Sequence, residues 1–128
     1  MTNQFEIRDQ VLVHCTVNEA DVVIPEGVKE VKSYAFKEDE KIESVVFPTS
    51  CERIEGYALA YKGSLKRVTI LGPAEVGEKA FLSCHNLKEV YLADGVKSIG
   101  SMCFAFCDKI HDIYIPRSVV ESAARLPA

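Results

Sequence analysis

The chain has 128 residues, 48% hydrophobic and 27% charged, which is enough for one domain with its own core and too apolar for disorder. A formal charge of −4 and a pI near 5.4 argue against a nucleic-acid partner, which would demand clustered Lys and Arg. No apolar run reaches the ~18 residues of a membrane span, so no membrane insertion is expected.

The opening Met1-Thr2-Asn3-Gln4-Phe5-Glu6 has neither the basic nor the apolar region of a secretory leader. Together with an odd count of five cysteines, this points to reduced thiols and a cytoplasmic protein. A leaderless form of a surface or secreted protein would read the same way.

Phe5-Glu6-Ile7 and Val11-Leu12-Val13 alternate about Arg8-Asp9-Gln10, which predicts a β-hairpin. Asp-Gln is a poorer turn than Asp-Gly, because Gln resists positive φ. Thr16 to Ala20 is a polar connection. From Val22 the chain repeats: Val22, Val45, Val68, Val90 and Ile113 are spaced by 23, 23, 22 and 23 residues. The short unit has lost one residue between Leu71 and Val76, where Gly72-Pro73 alters the turn.

Within each unit an apolar residue returns two positions on, at Ile24, Phe47, Ile70, Leu92 and Ile115, which is strand alternation. Pro25, Pro48 and Pro116 end the strand by removing a ladder donor. Val28, Cys51, Ala74, Val96 and Val119 follow, and then Val31, Ile54, Val76 and Ile99 in a second short extended piece. Ala35-Phe36, Ala58-Leu59, Ala80-Phe81 and Cys103-Phe104 are expected on a short helical turn, and Ile42, Leu65, Leu87 and Ile110 close each unit.

A period in the low twenties cannot bury its apolar face alone, but stacked units bury a continuous one. The fold class expected is α/β repeat: a short right-handed leucine-rich solenoid with one parallel sheet. The single domain divides into a hairpin cap (5–20), four repeats (22–112), and a partial repeat with a helical cap (113–128). Ser118-Val119-Val120-Glu121 matches a capping box opening that last helix.

Val-x-Ile-Pro followed by Val, Ala-Phe, Cys and Leu resembles the BspA-like leucine-rich repeat of bacterial proteins, over residues 5 to 117. The opening Phe5-x-Ile7-x-Asp9-x-Val11-Leu12 is similar to the hairpin that starts such arrays. The resemblance implies surface adhesion and protein binding, although the leader of a surface adhesin is missing and the array is short.

Chemistry-bearing residues are few. Cys84-His85, Cys103, Cys107 and His111 could bind zinc by spacing, but Cys84, Cys103 and Cys107 stand at repeat positions that prescribe a small buried residue. No metal or other cofactor is therefore expected. A Cys84–Cys107 disulfide is disfavoured, since stacked coils would hold the two side chains parallel rather than facing. Cys15 and Cys51 fall at a strand end and a core position, with no His nearby to make a nucleophile. Phosphate loops, nucleophile elbows and zinc-protease signatures are missing, so no enzyme is expected. The acidic run Glu38-Asp39-Glu40 reads as a solvated face.

If Val22, Val45, Val68, Val90 and Ile113 point inward, their neighbours point outward. Val23, Val46, Thr69, Tyr91 and Tyr114 then form one column across five strands, and Asp21, Ser44, Arg67, Glu89 and Asp112 another, flanked by Lys66, Lys88 and His111. An aromatic column bordered by charge has the composition of a protein-binding surface. The expected partner is another protein, held by Tyr91, Tyr114 and Arg67 with Glu89 and Asp112 orienting it, in an adaptor or an inhibitor. The alternative is a module of a bacterial surface adhesin that binds host protein or glycan. Phe5-Glu6-Ile7 is an end strand through which a homodimer would form.

Overall fold

Apolar residues two apart place both side chains on one side of a strand, and the computed structural model, which describes residues 1–37 and 41–119, follows that alternation through every coil. β1 (Gln4–Arg8) and β2 (Val11–Thr16) form the hairpin. Each later coil opens on one of β3 (Asp21–Val23), β5 (Ser44–Phe47), β7 (Arg67–Ile70), β9 (Glu89–Leu92) and β11 (Asp112–Tyr114). The second extended pieces are β4 (Glu30–Val31), β6 (Arg53–Ile54), β8 (Glu75–Val76) and β10 (Ser98–Ile99).

The coil-opening strands make a five-stranded parallel sheet in the order β11-β9-β7-β5-β3. The short strands make a second sheet, β1-β2-β4-β6-β8-β10, in which only β1 runs antiparallel. This corrects the expectation of one sheet. Repeats stacked in register bring every extended piece opposite its own copy, so even two-residue pieces pair.

The core lies between the sheets. Val22, Val45, Val68, Phe47, Ile70 and Leu92 are fully buried from one side, and Val31 and Ile54 from the other. Each such side chain stabilises the coil by about 1.5–3 kcal/mol relative to exposure. Phe47, Phe81 and Phe104 continue the core from coil to coil, with Phe47 edge-on to Phe81 at 6.1 Å and Phe81 stacked on Phe104 at 5.3 Å. Ile113 shares this register with Val90, and Ile115 follows two residues on, but they are 41% and 43% exposed, because no further described coil covers them. That corrects their expected core position.

The helical turn expected at the Ala-Phe position is also corrected. Ala35, Ala58, Ala80 and Cys103 close β-turns on Lys32, Glu55, Gly77 and Gly100, each bond being 3.2 Å. Tyr34, Tyr57, Lys79 and Met102, one residue earlier, have φ between 56° and 62°. Tyr61, Ser83 and Phe106 repeat the left-handed conformation four residues on. The reason lies in the backbone donors. Leu59 N–H donates to Ala80 O and Phe81 N–H to Cys103 O, both at 2.9 Å, so these amides serve the next coil instead of an internal helix.

Of the helical cap expected over residues 113–128, residues 120–128, like the acidic run 38–40, lie outside the described residues. The capping box expected from Ser118 runs into Val120 and Glu121, which lie outside the described residues, so only the contacts of Ser118 are placed. Its Oγ donates to Val96 O at 2.7 Å, just as Ser50 Oγ donates to Val28 O at 2.8 Å in an earlier coil. Val119 N closes on Pro116 O as Cys51 N closes on Pro48 O, both at 3.1 Å. Ser118 thus belongs to the turn that follows each strand.

Candidate functional site

The residues between the core positions of the five-stranded sheet face outward, and parallel pairing aligns them. Val23, Val46, Thr69, Tyr91 and Tyr114 are consecutive register partners, and so are Asp21, Ser44, Arg67, Glu89 and Asp112. Strands in register repeat at ~4.8 Å, the spacing at which aromatic rings stack. Tyr91 and Tyr114 do so, with centroids 5.5 Å apart and planes 20° from parallel. Val23 is exposed, whereas Val46 and Thr69 are half-buried beside their neighbours.

Four of the five residues of the charged column are paired with one another. Arg67 Nε donates to Glu89 Oε2 at 2.9 Å, and Ser44 Oγ donates to Asp21 Oδ1 at 2.7 Å. Tyr114 Oη donates to Asp94 Oδ1 at 3.0 Å, which raises the phenol above its ordinary value and fixes the ring's outer end. Beside the column, Lys66 Nζ meets Glu43 Oε1 at 3.1 Å. Arg67, Thr69, Glu89, Tyr91, Asp112 and Tyr114 line a shallow depression of about 130 Å³. That is below the roughly 300 Å³ at which small-molecule pockets begin. Val23 and Val46 continue the column but lie outside the depression.

The cysteine–histidine constellation is not assembled. Cys84 is fully buried while His85, the next residue, is exposed with Nδ1 4.0 Å from Asp108 Oδ1. Among the described residues no group of three or more His, Cys, Asp or Glu is placed to hold a metal ion. All five cysteines are free thiols.

A second surface, along the left-handed corners, is absent from the sequence expectations. Tyr34 stacks on Tyr57 at 5.6 Å, and Lys79 Nζ lies 5.9 Å from the centre of the Tyr57 ring. Tyr34, Lys37, Tyr57, Ala58, Ala60, Tyr61 and Lys62 enclose about 200 Å³ there. The one sequence signal for these corners is negative: none of the seven left-handed positions carries a β-branched residue, the kind that tolerates positive φ least.

No helix among the described residues is long and apolar enough to cross a membrane. No curated protein matches the chain. A crystal structure of a leucine rich cell surface protein from Faecalibacterium prausnitzii A2-165 matches with a TM-score of 0.57 and 23% identity. The match covers 92% of this chain and 42% of that one, so the chain spans about two fifths of its neighbour's length. The family described as BspA type leucine rich repeat region matches in six copies over residues 6–124, a span that begins within β1 and takes in all the coils described above. With that repeat running through the two aligned sheets, the chain belongs to the BspA-type leucine-rich repeat family.

Proposed function

We propose that the protein is a non-catalytic recognition module that docks a partner protein on the outer face of the five-stranded sheet. The observation that carries this reading is the stacked pair Tyr91–Tyr114 beside the ion pair Arg67–Glu89, around a depression sized for one side chain. Large rings on a rigid sheet offer contact area at low entropic cost, and the bordering charges set orientation. Tyr91, Tyr114 and Arg67 anchor the partner; Glu89 and Asp112 orient it; Val23, Val46 and Thr69 extend the contact along the column. Such a module acts as an adaptor, or as an inhibitor that covers a partner's surface.

The test is affinity capture from the source cell with the wild type and the double variant Tyr91→Ala/Tyr114→Ala. Loss of the captured partner from the double variant, with its circular dichroism unchanged, supports the assignment. The same partner recovered with both proteins refutes it.

One observation favours a second reading, a module of a bacterial surface array that binds host protein or glycan. The matching solved structure is a cell surface protein more than twice as long as the aligned stretch. Fractionation of the source cell separates the two: recovery with the envelope supports surface display, and recovery with the cytosol supports the adaptor or inhibitor.

A further inference from the structure

Parallel register sets Arg67, Glu89 and Asp112 in one line across β7, β9 and β11, so Arg67 and Asp112 stand two strand spacings apart, about 10 Å. Arg67 is committed to Glu89 between them, through Nε at 2.9 Å. Asp112 is exposed, and among the described residues its carboxylate has no ion pair or hydrogen bond. The neighbouring column supplies the rings of Tyr91 and Tyr114, 46% and 47% exposed, and Val90 is buried beneath. The shallow depression of the outer face thus joins an apolar wall to an uncompensated negative charge at its β11 end.

From this pairing we propose that the outer face takes a basic side chain, an arginine of the partner protein; the inference rests on the docking reading above and names the chemistry that the face selects. Arginine has the two matching parts, an apolar stem and a planar charged head. The stem lies against the Tyr91 and Tyr114 rings, and the guanidinium meets Asp112. The hydrogen-bonding capacity at that end agrees. A guanidinium offers only donors, and a carboxylate only acceptors. Tyr114 spends its single O–H on Asp94 Oδ1, 3.0 Å away, so its oxygen has only lone pairs left for a ligand. The Glu89 oxygen that Arg67 Nε does not engage adds another acceptor.

Arg67 does not reverse this preference, because Glu89 balances its charge before the β11 end is reached. A second copy of the chain is a poor occupant, since a molecule of net charge −4 would approach a negative site against repulsion.

The experiment titrates the isotope-labelled full chain with three peptides and follows the amide resonances of Glu89, Tyr91, Asp112 and Tyr114. The peptides are acetyl-Gly-Arg-Gly-amide, the same peptide with citrulline (arginine's shape without its charge), and acetyl-Gly-Glu-Gly-amide. The arginine peptide should bind about threefold more tightly than the citrulline peptide, the size of one exposed ion pair, and the difference should shrink as salt rises. Asp112→Asn should bring those two peptides to equal affinity, and Tyr91→Ala/Tyr114→Ala should weaken both. Equal affinity of the two for the wild type would overturn the inference and leave the docking face standing. Tighter binding of the glutamate peptide would overturn it too, and would assign the contact to Arg67. So would arginine-peptide shifts confined to other acidic surfaces, or no shift with any peptide. In each of those cases capture with the double tyrosine variant still decides the docking reading on its own. The wild-type comparison of arginine with citrulline holds even if a variant folds poorly.

Discussion

Tyr91 and Tyr114, one from each of two neighbouring strands, lie face to face with their ring centres 5.5 Å apart. The stack is two rings long because Thr69, the next residue in the column, has no ring to extend it. Aromatic pairs of this geometry couple by about 0.5–1.5 kcal/mol beyond the area they bury. A double-mutant cycle on Tyr91→Ala and Tyr114→Ala, read by urea denaturation, should return a coupling in that range. A coupling of zero would mean that the rings are independent, and the rigid platform proposed for docking would be lost with it.

Arg67 and Glu89 lead to a different expectation, since their side chains are 59% and 43% exposed. An exposed pair of this kind is screened by solvent and adds little to a fold, so either single substitution should leave stability nearly unchanged. Its weight falls on recognition. The swap Arg67→Glu/Glu89→Arg keeps an ion pair within the chain but inverts the field a partner meets. Stability should recover in the swap while binding does not, and association should slow most at low salt. Wild-type binding by the swap would remove Arg67 from the site.

Gly72 marks where one repeat is a residue short. A Cβ there would lie 2.5 Å from Cys51 O, 2.7 Å from Pro48 O and 2.9 Å from Thr49 O, all backbone atoms that cannot swing aside. Gly72→Ala should therefore cost about 2–3 kcal/mol, the penalty of overpacking. Gly63 is the control, with no atom within 4 Å of an added Cβ and no positive φ. Gly63→Ala should be neutral or stabilise by up to about 1 kcal/mol through the unfolded chain. Denaturant midpoints for the two variants would check both signs.

The outer columns were legible because a strand alternates strictly, so placing Val22 and Val45 inward fixes Val23 and Val46 outward before any coordinate is known. The spacing of 22 or 23 residues then aligned Thr69, Tyr91 and Tyr114 behind them. The corners were not legible. Tyr34, Tyr57, Lys79 and Met102 adopt a conformation usually announced by Gly or Asn, and intercoil hydrogen bonding, which no local window displays, holds them there. The exposure of Ile113 escaped for a related reason: its type matches Val90, but burial depends on a neighbouring coil and not on the residue.

Glu26 gives a pH dependence with a definite sign. Thr49 of the next coil donates its backbone N–H at 3.0 Å and its hydroxyl at 2.9–3.0 Å to the carboxylate, which lowers the group below the 4.5 of a free glutamate. The unfolded chain therefore binds this proton more readily than the folded one. The contribution is present in full above pH 4.5 and fades as pH falls through the lower folded value. Glu26→Gln should flatten that part of the stability profile and leave the neutral region parallel to wild type. An unchanged acid slope in the variant would assign the loss to other carboxylates.

The hairpin turn supplies the last test, because it sets a backbone preference against a residue type. Arg8 pairs with Val11, so Asp9 and Gln10 make a two-residue turn, with φ of 49° and 66°. Both values are positive, as in the type I′ turn whose twist matches flanking strands, and Asp-Gly is the sequence that fits it with least strain. Gln at the second position carries a left-handed cost of roughly 1–2 kcal/mol. Glycine removes that cost but gives back about 0.5–1 kcal/mol in backbone entropy. The net expectation for Gln10→Gly is a gain of about 0.5–1 kcal/mol, whereas Gln10→Val should lose about 1–2 kcal/mol, since a β-branched residue suits positive φ worst. Urea denaturation of the three proteins should rank them Gly, Gln, Val. The same stability for all three would mean that the hairpin frays before the coils unfold and does not cap them, since strain in a turn that is already open cannot move the global transition.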